Sequence, residues 1–189
     1  MIKAIIFDCF GVVVGKGVWR IYELAGGDLR ADEQFLEDVI NKMALGEYTS
    51  EQFHVALAAR IGMTLHDWKQ FYLNHDAANE ETLSYIDELH GSYKTAMLSN
   101  SASGVVKAKL NDKEISVFDE VIISADVGLK KPDPRIFELT AKKLGVMPEE
   151  CVFTDDHEEY LAGALAIGMK TILYTGFEEF KRELEKVLT

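Results

Sequence analysis

Five short apolar runs punctuate this chain: residues 2–8 (IKAIIFD), 92–98 (SYKTAML), 120–123 (EVII), 151–154 (CVFT) and 170–174 (KTILY). Runs of this length, rich in β-branched and aromatic residues and bounded by turn residues, predict strands. Between them the apolar positions take up helical spacing, over 81–90, 104–110, 134–144, 157–167 and 177–188. From 15 to 80 the pattern is helical throughout, with helices expected near 17–25, 31–44, 51–61 and 65–78.

The punctuation agrees with these elements. Asp133-Pro134 supplies an N-cap followed by proline at the first helical position. Gly145 and Gly168 stand just past helix ends, where a left-handed cap suits glycine. Thr49-Ser50-Glu51-Gln52 is a capping box, and Thr64 is placed to cap the helix after it. Strands alternating with helices imply a parallel sheet covered on both faces, with ligands at the carboxyl ends of the strands. The expected fold is therefore α/β: a three-layer Rossmann-like parallel sheet carrying a small helical cap inserted after the first strand. On this reading 1–14 and 81–189 form the core, and 15–80 form a cap subdomain placed where a lid would sit.

Composition narrows the function classes. With 189 residues, 48% of them hydrophobic and 28% charged, the chain can bury one sizeable core plus a small insertion. No apolar run approaches the roughly 20 residues of a membrane span, and the N-terminal stretch is a first strand rather than a signal peptide. A net charge of -12 opposes nucleic acid and anionic membranes, so neither is an expected partner. An anionic substrate would need local positive charge or a metal. Cys9 is expected at the C-terminal end of one strand and Cys151 at the start of another, opposite ends of a parallel sheet, which argues against a disulfide and for a reducing, cytoplasmic setting. Nothing in the pattern specifies an oligomeric state.

The candidate chemistry lies at the strand ends. Asp8 closes the first strand, Ser99-Asn100 the second and Asp155-Asp156 the fourth, while Lys130-Lys131 follow the strand EVIISAD. Carboxylates from different strands cannot share a small space unless a cation or proton relieves them. Oxygen-only ligands suit Mg²⁺, and a lysine with a serine hydroxyl beside such a metal makes a phosphate-shaped site.

FDCFGVV around Asp8, MLSN ending in Ser99-Asn100, KPDP with Lys131, and FTDD with Asp155-Asp156 together resemble the four motifs of the haloacid dehalogenase-like hydrolase superfamily. The resemblance spans essentially the whole chain, and a helical insertion after strand one matches one of its subgroups. It implies Asp8 as a nucleophile forming an aspartyl intermediate, Ser99 holding the transferring group, and Lys131 neutralising it and orienting Asp8. It further implies Mg²⁺ held by Asp8, Asp156 and the backbone carbonyl of Phe10, with Asp155 ligating or standing behind. Asn100, and Arg20 from the cap, are the further candidate substrate contacts.

One position departs from the family pattern. Phosphatases of the family usually carry an aspartate two residues after the nucleophile, as general acid and base, and this chain has Phe10. An aromatic there resembles the metal-independent 2-haloacid dehalogenases, whose halide leaving group needs no proton. The acidic doublet decides between them: without a metal, Asp155 and Asp156 would only repel an anionic substrate. The expectation is a Mg²⁺-dependent phosphatase or phosphoryl-transfer enzyme acting on a small phosphorylated metabolite. Its rivals are a haloacid dehalogenase and a catalytically silent phospho-ligand-binding protein. A replacement proton donor could come from His54, His66, His75, Asp76 or Glu47; otherwise these are solvated cap-surface residues. Trp19 is expected in the cap core, Cys9 as an inert buried thiol, Lys130 in solvent, and 181–186 (KRELEK) as a solvated helix face. Ser99-Asn100 can also serve as caps for the helix near 104.

Overall fold

Strands β1 (Ala4–Asp8), β2 (Lys94–Ser99), β3 (Glu120–Ile123), β4 (Cys151–Asp155) and β5 (Lys170–Leu173) form one parallel sheet in the order β3-β2-β1-β4-β5 in the computed structural model. The structure describes residues 1–15, 17–75 and 77–189. Every residue of β1 is buried, as a central strand covered on both faces requires. Ile5 and Phe7 point into one apolar layer with Met97, Val152 and Phe180, and Ala4 and Ile6 into the other with Leu98, Phe137 and Phe153. The first layer is closed by α5 (Glu80–His90) and α11 (Phe177–Leu188), the second by α9 (Pro134–Leu144) and α10 (Glu158–Leu165). Leu184, inside the charged stretch 181–186, is fully buried, and its charged neighbours form the outer face.

Local chemistry sets the helix ends. Asp133 accepts from the Arg135 amide to cap α9, whose other end closes on Gly145 at φ 72°. The short connection between β2 and β3 holds α6 (Ser103–Lys107) and α7 (Asp112–Ile115). Sequence periodicity misses α7, because one turn is too short to show a period; Asn111 and Glu114 form its capping box. The strand expected over 120–123 ends at Ile123 as read, and the residues after it, Ser124–Val127, turn into the short helix α8. Nor do Ser99 and Asn100 cap α6: its N-cap position is Ala102, which makes no side-chain capping bond.

Among the described residues, four helices run between β1 and α5: α1 (Gly17–Leu24), α2 (Glu33–Ala44), α3 (Ser50–Arg60) and α4 (Leu65–Asn74). Thr49 and Gln52 make the capping box of α3, and Thr64 caps α4 by accepting from the Asp67 amide. These helices share an apolar cluster of their own, built on Ile21, Tyr22, Leu36, Phe53, Leu57 and Trp68. At its edge the Tyr22 hydroxyl donates to Asp32 (2.6 Å), which Arg60 also engages (Nε to Oδ1, 2.7 Å).

Two expectations are corrected here. His54 is not on the surface: it is 8% exposed, accepts at Nδ1 from the Trp68 indole (3.0 Å), and burial pushes its imidazole down to about 4. Lys130 is half-buried and donates to Asn41 Oδ1 of α2, tying the sheet side to the helical insertion. A second tie runs from Lys109 Nζ to the Tyr72 carbonyl (2.7 Å). Cys9 and Cys151 are both buried free thiols, and burial pushes Cys151 up to about 12. Among the described residues, no helix is long and apolar enough to cross a membrane.

Candidate active site

The strand order reverses direction at β1. The chain runs outward through β2 and β3, then crosses to the other side of β1 for β4 and β5. Connections therefore diverge at the carboxyl edge between β1 and β4, which leaves a crevice there. Asp8 ends β1 and Asp155 ends β4, so both acids reach this crevice from adjacent strands.

Lys131 joins them. Its ammonium lies 2.5 Å from Asp8 Oδ1 and 2.5 Å from Asp155 Oδ2, and it is 1% exposed. The other Asp155 oxygen accepts from the His157 amide (2.9 Å), so both carboxylate oxygens have a partner within the protein. Such a buried group needs a rigid seat, and Asn100 supplies it. The Asn100 amide donates to the Lys131 carbonyl (2.9 Å) and accepts from the Lys131 N–H (2.8 Å), clamping the backbone of the lysine from the end of β2. Ser99 is buried beside it, with its hydroxyl 2.8 Å from that of Ser101.

Asp156 completes the group from a different position. Its side chain is about one-third exposed, at 34%, and it approaches the chain where Gly11 holds φ 98°. A Cβ at Gly11 would stand 2.3 Å from Asp156 Oδ2, so only glycine admits the carboxylate there. Asp8, Asp155 and Asp156 each present an oxygen such that all lie within 4.8 Å of one another.

The electrostatics follow from three acids around one ammonium. Burial pushes the Asp8 carboxyl up to about 8, against the pull of Lys131 and with the push of Asp155. Burial works to lower Lys131, yet the charges of Asp8 and Asp155 outweigh it and hold the ammonium above its usual range. Asp156 is raised by burial, only partly offset by His157. One lysine leaves this set short of positive charge, and an all-oxygen donor set matches a hard divalent cation such as Mg²⁺. The residues present thus fit the metal that the sequence implies.

Above these groups lies a cavity of about 400 Å³. Asp8, Ser99, Asn100, Lys131 and Asp156 line its floor, and Phe10, Trp19 and Arg20 its walls. Arg20 is exposed and paired with Glu23, and Trp19 is partly buried against the helical cluster while also facing the cavity. None of His54, His66, His75 and Glu47 lines the cavity, and Asp76 lies outside the described residues. The titratable groups that do line it and were not anticipated are Glu23, Tyr72, His157 and Tyr160. For three of them the signal was spacing: Glu23 is one turn after Arg20, while His157 and Tyr160 follow Asp156 by one and four places; Tyr72 left no such signal. A wider depression of about 900 Å³ occupies the opposite edge of the sheet. Its Lys3 and Lys94 are already paired with Glu150 and Asp119, and among the described residues it gathers no cluster of three converging acids.

Comparison with known proteins agrees with this architecture. The family model for haloacid dehalogenase-like hydrolases matches residues 2–168. A D-ribitol-5-phosphate phosphatase of Bacteroides thetaiotaomicron is 27% identical over 204 aligned residues, covering 100% of this chain and 99% of that protein. A HAD family enzyme of the same organism, solved in complex with magnesium and inorganic phosphate, superposes with a TM-score of 0.78 at 21% identity, covering 97% of this chain and 99% of the other. A predicted HAD-like family hydrolase from Porphyromonas gingivalis gives a TM-score of 0.75 at 26% identity, covering 100% and 98%.

Proposed function

The chain belongs to the haloacid dehalogenase-like hydrolases, and we propose that within this family it is a Mg²⁺-dependent phosphatase acting on a small phosphate monoester. The observation that carries this reading is the convergence of Asp8, Asp155 and Asp156 within 4.8 Å around a single buried lysine. A dehalogenase that needs no metal has no use for that excess of negative charge.

In the proposed mechanism Asp8 attacks phosphorus in line, the P–O ester bond breaks, and an aspartyl phosphate forms. Lys131 holds Asp8 in place and, with Ser99, hydrogen-bonds the phosphoryl oxygens as charge builds on them. Asn100 acts by fixing the Lys131 backbone. Asp8, Asp156 and the Phe10 carbonyl would hold Mg²⁺, with Asp155 behind them as the partner of Lys131. Bound there, the metal supplies positive charge that neutralises phosphate and carboxylates together. Water then cleaves the aspartyl phosphate, returning Asp8. The helices α1 to α4 act as the cap, excluding bulk water and contacting the leaving alcohol.

Phe10 carries no proton to give. It packs against both the sheet cluster and the helical cluster, so its position is an apolar joint between the two. The leaving alcohol then takes its proton from solvent, which makes turnover slow, since general acid–base catalysis contributes about 10²–10⁴-fold. Acid-quenching the enzyme during turnover and mapping its peptides by mass spectrometry tests the covalent step. A phosphoryl group on the peptide containing Asp8 is expected; phosphate release without it would remove the intermediate.

A further inference from the structure

The polar side chains lining the 400 Å³ cavity are those of the floor with His157 and Tyr160, the Arg20–Glu23 pair, and Tyr72 of α4, whose buried ring lies 3.9 Å from Lys109 Nζ. The rest of the wall is largely apolar, with Trp19, Leu29, Ile40, Met43, Phe53 and Val105 contributed by helices α1, α2, α3 and α6 and the loop before α2. The charged side chains that the helical insertion brings to the cavity, among the described residues, are Arg20 and Glu23. They are paired with each other and close to half exposed, so they sit at the mouth. We propose that the substrate is a phosphate monoester whose alcohol carries an apolar chain, alkyl or isoprenoid in character, rather than a polyol or sugar. This rests on the phosphatase reading and names the substrate class for the same site.

The chemistry of the walls decides it. A polyol chain lying against Leu29, Ile40, Met43 and Val105 would bury hydroxyls without partners, each weakening binding by about 5- to 100-fold. An apolar chain instead gains roughly fourfold in affinity for each methylene buried. The floor and the walls thus divide one ligand into an anionic head and an apolar tail. In the reaction water is consumed, the P–O bond breaks, and the tail leaves as a neutral alcohol that takes up the proton.

Two measurements on the wild-type protein with Mg²⁺ test this. Calorimetric affinities for n-alkylphosphonates of increasing length, which cannot be hydrolysed, are compared with kcat/KM for the matching n-alkyl phosphates and for ribitol 5-phosphate. Both series are expected to climb about fourfold per methylene until the cavity is filled, with hexyl phosphate well ahead of ribitol 5-phosphate. A flat series, or a preference for ribitol 5-phosphate, overturns the inference. Phosphonate affinities that climb while no ester is hydrolysed support the apolar tail and reject the phosphatase reading, so the two failures are distinct. Ile40→Gln and, independently, Leu29→Gln, both at half-buried positions, should weaken hexylphosphonate about tenfold more than methylphosphonate. Equal loss for both probes in both variants would place the tail elsewhere and overturn the assignment.

Discussion

Gly163 of α10 meets the Pro132 carbonyl so closely that a Cβ on it would stand 2.0 Å from that oxygen. Pro132 directly follows Lys131, so the bare face of α10 is what lets the lysine loop lie against the sheet edge. Gly163→Ala should push this loop outward and separate Lys131 from Asp8 and Asp155. A displacement of about 1 Å costs roughly 100-fold in rate, and the overpacking costs about 1–3 kcal/mol in stability. Kinetics on a phosphate ester and a denaturant titration check the two effects. Wild-type kcat in a folded variant would show that Lys131 does not depend on this contact.

A second prediction concerns Phe10. If proton transfer limits turnover, Phe10→Asp should raise kcat about 10- to 100-fold, within the range of general acid–base catalysis. Phe10→Ala, which opens the same joint without supplying a proton, should bring no gain. The variant is also expected to melt lower, because an acid replaces an aromatic ring packed against two clusters. Equal rates for Phe10→Asp and wild type would place the proton donor elsewhere.

The buried imidazole of His54 makes acid stability testable. Burial, aided by Lys69, pushes it down to about 4 from an ordinary value of 6.5. Between those values the unfolded chain binds the proton and the folded chain does not, so stability rises with pH across the window and falls as pH drops from about 6.5 toward 4. The contribution is about 3 kcal/mol. His54→Gln keeps an acceptor for the Trp68 indole and removes the titration. Unfolding free energies of the two proteins from pH 4 to 7 should differ in slope, with the variant flatter. Parallel curves would mean that His54 does not titrate on unfolding.

How far the sequence revealed these features depends on whether they are local. Strand ends were legible because an apolar run that stops on Asp8 or Asp155 announces both the strand and the chemistry at its tip. Caps such as Thr49 with Gln52 were equally legible, since the partners sit three residues apart. What stayed hidden is long-range pairing. Lys130 meets Asn41, 89 positions away, and His54 meets Trp68 across two helices. Neither leaves a periodic trace, so both residues looked solvated. The apolar walls of the cavity were hidden for the same reason: Leu29, Ile40, Met43 and Val105 share the hydrophobic signature of core residues, and only the fold shows which of them face open space.

Asp8 and the metal act jointly in the proposed reaction. That joint role is tested by an assay of phosphate release from an alkyl phosphate and of halide release from 2-chloropropionate. It uses wild-type and Asp8→Asn proteins, each with Mg²⁺ and with chelator. The expected result is phosphate release by the wild type that requires Mg²⁺, falls at least 10³-fold in Asp8→Asn as loss of the nucleophile implies, and comes without halide release. Halide release that persists in chelator, with no phosphate release, would contradict a metal-dependent phosphatase and assign the site to dehalogenation.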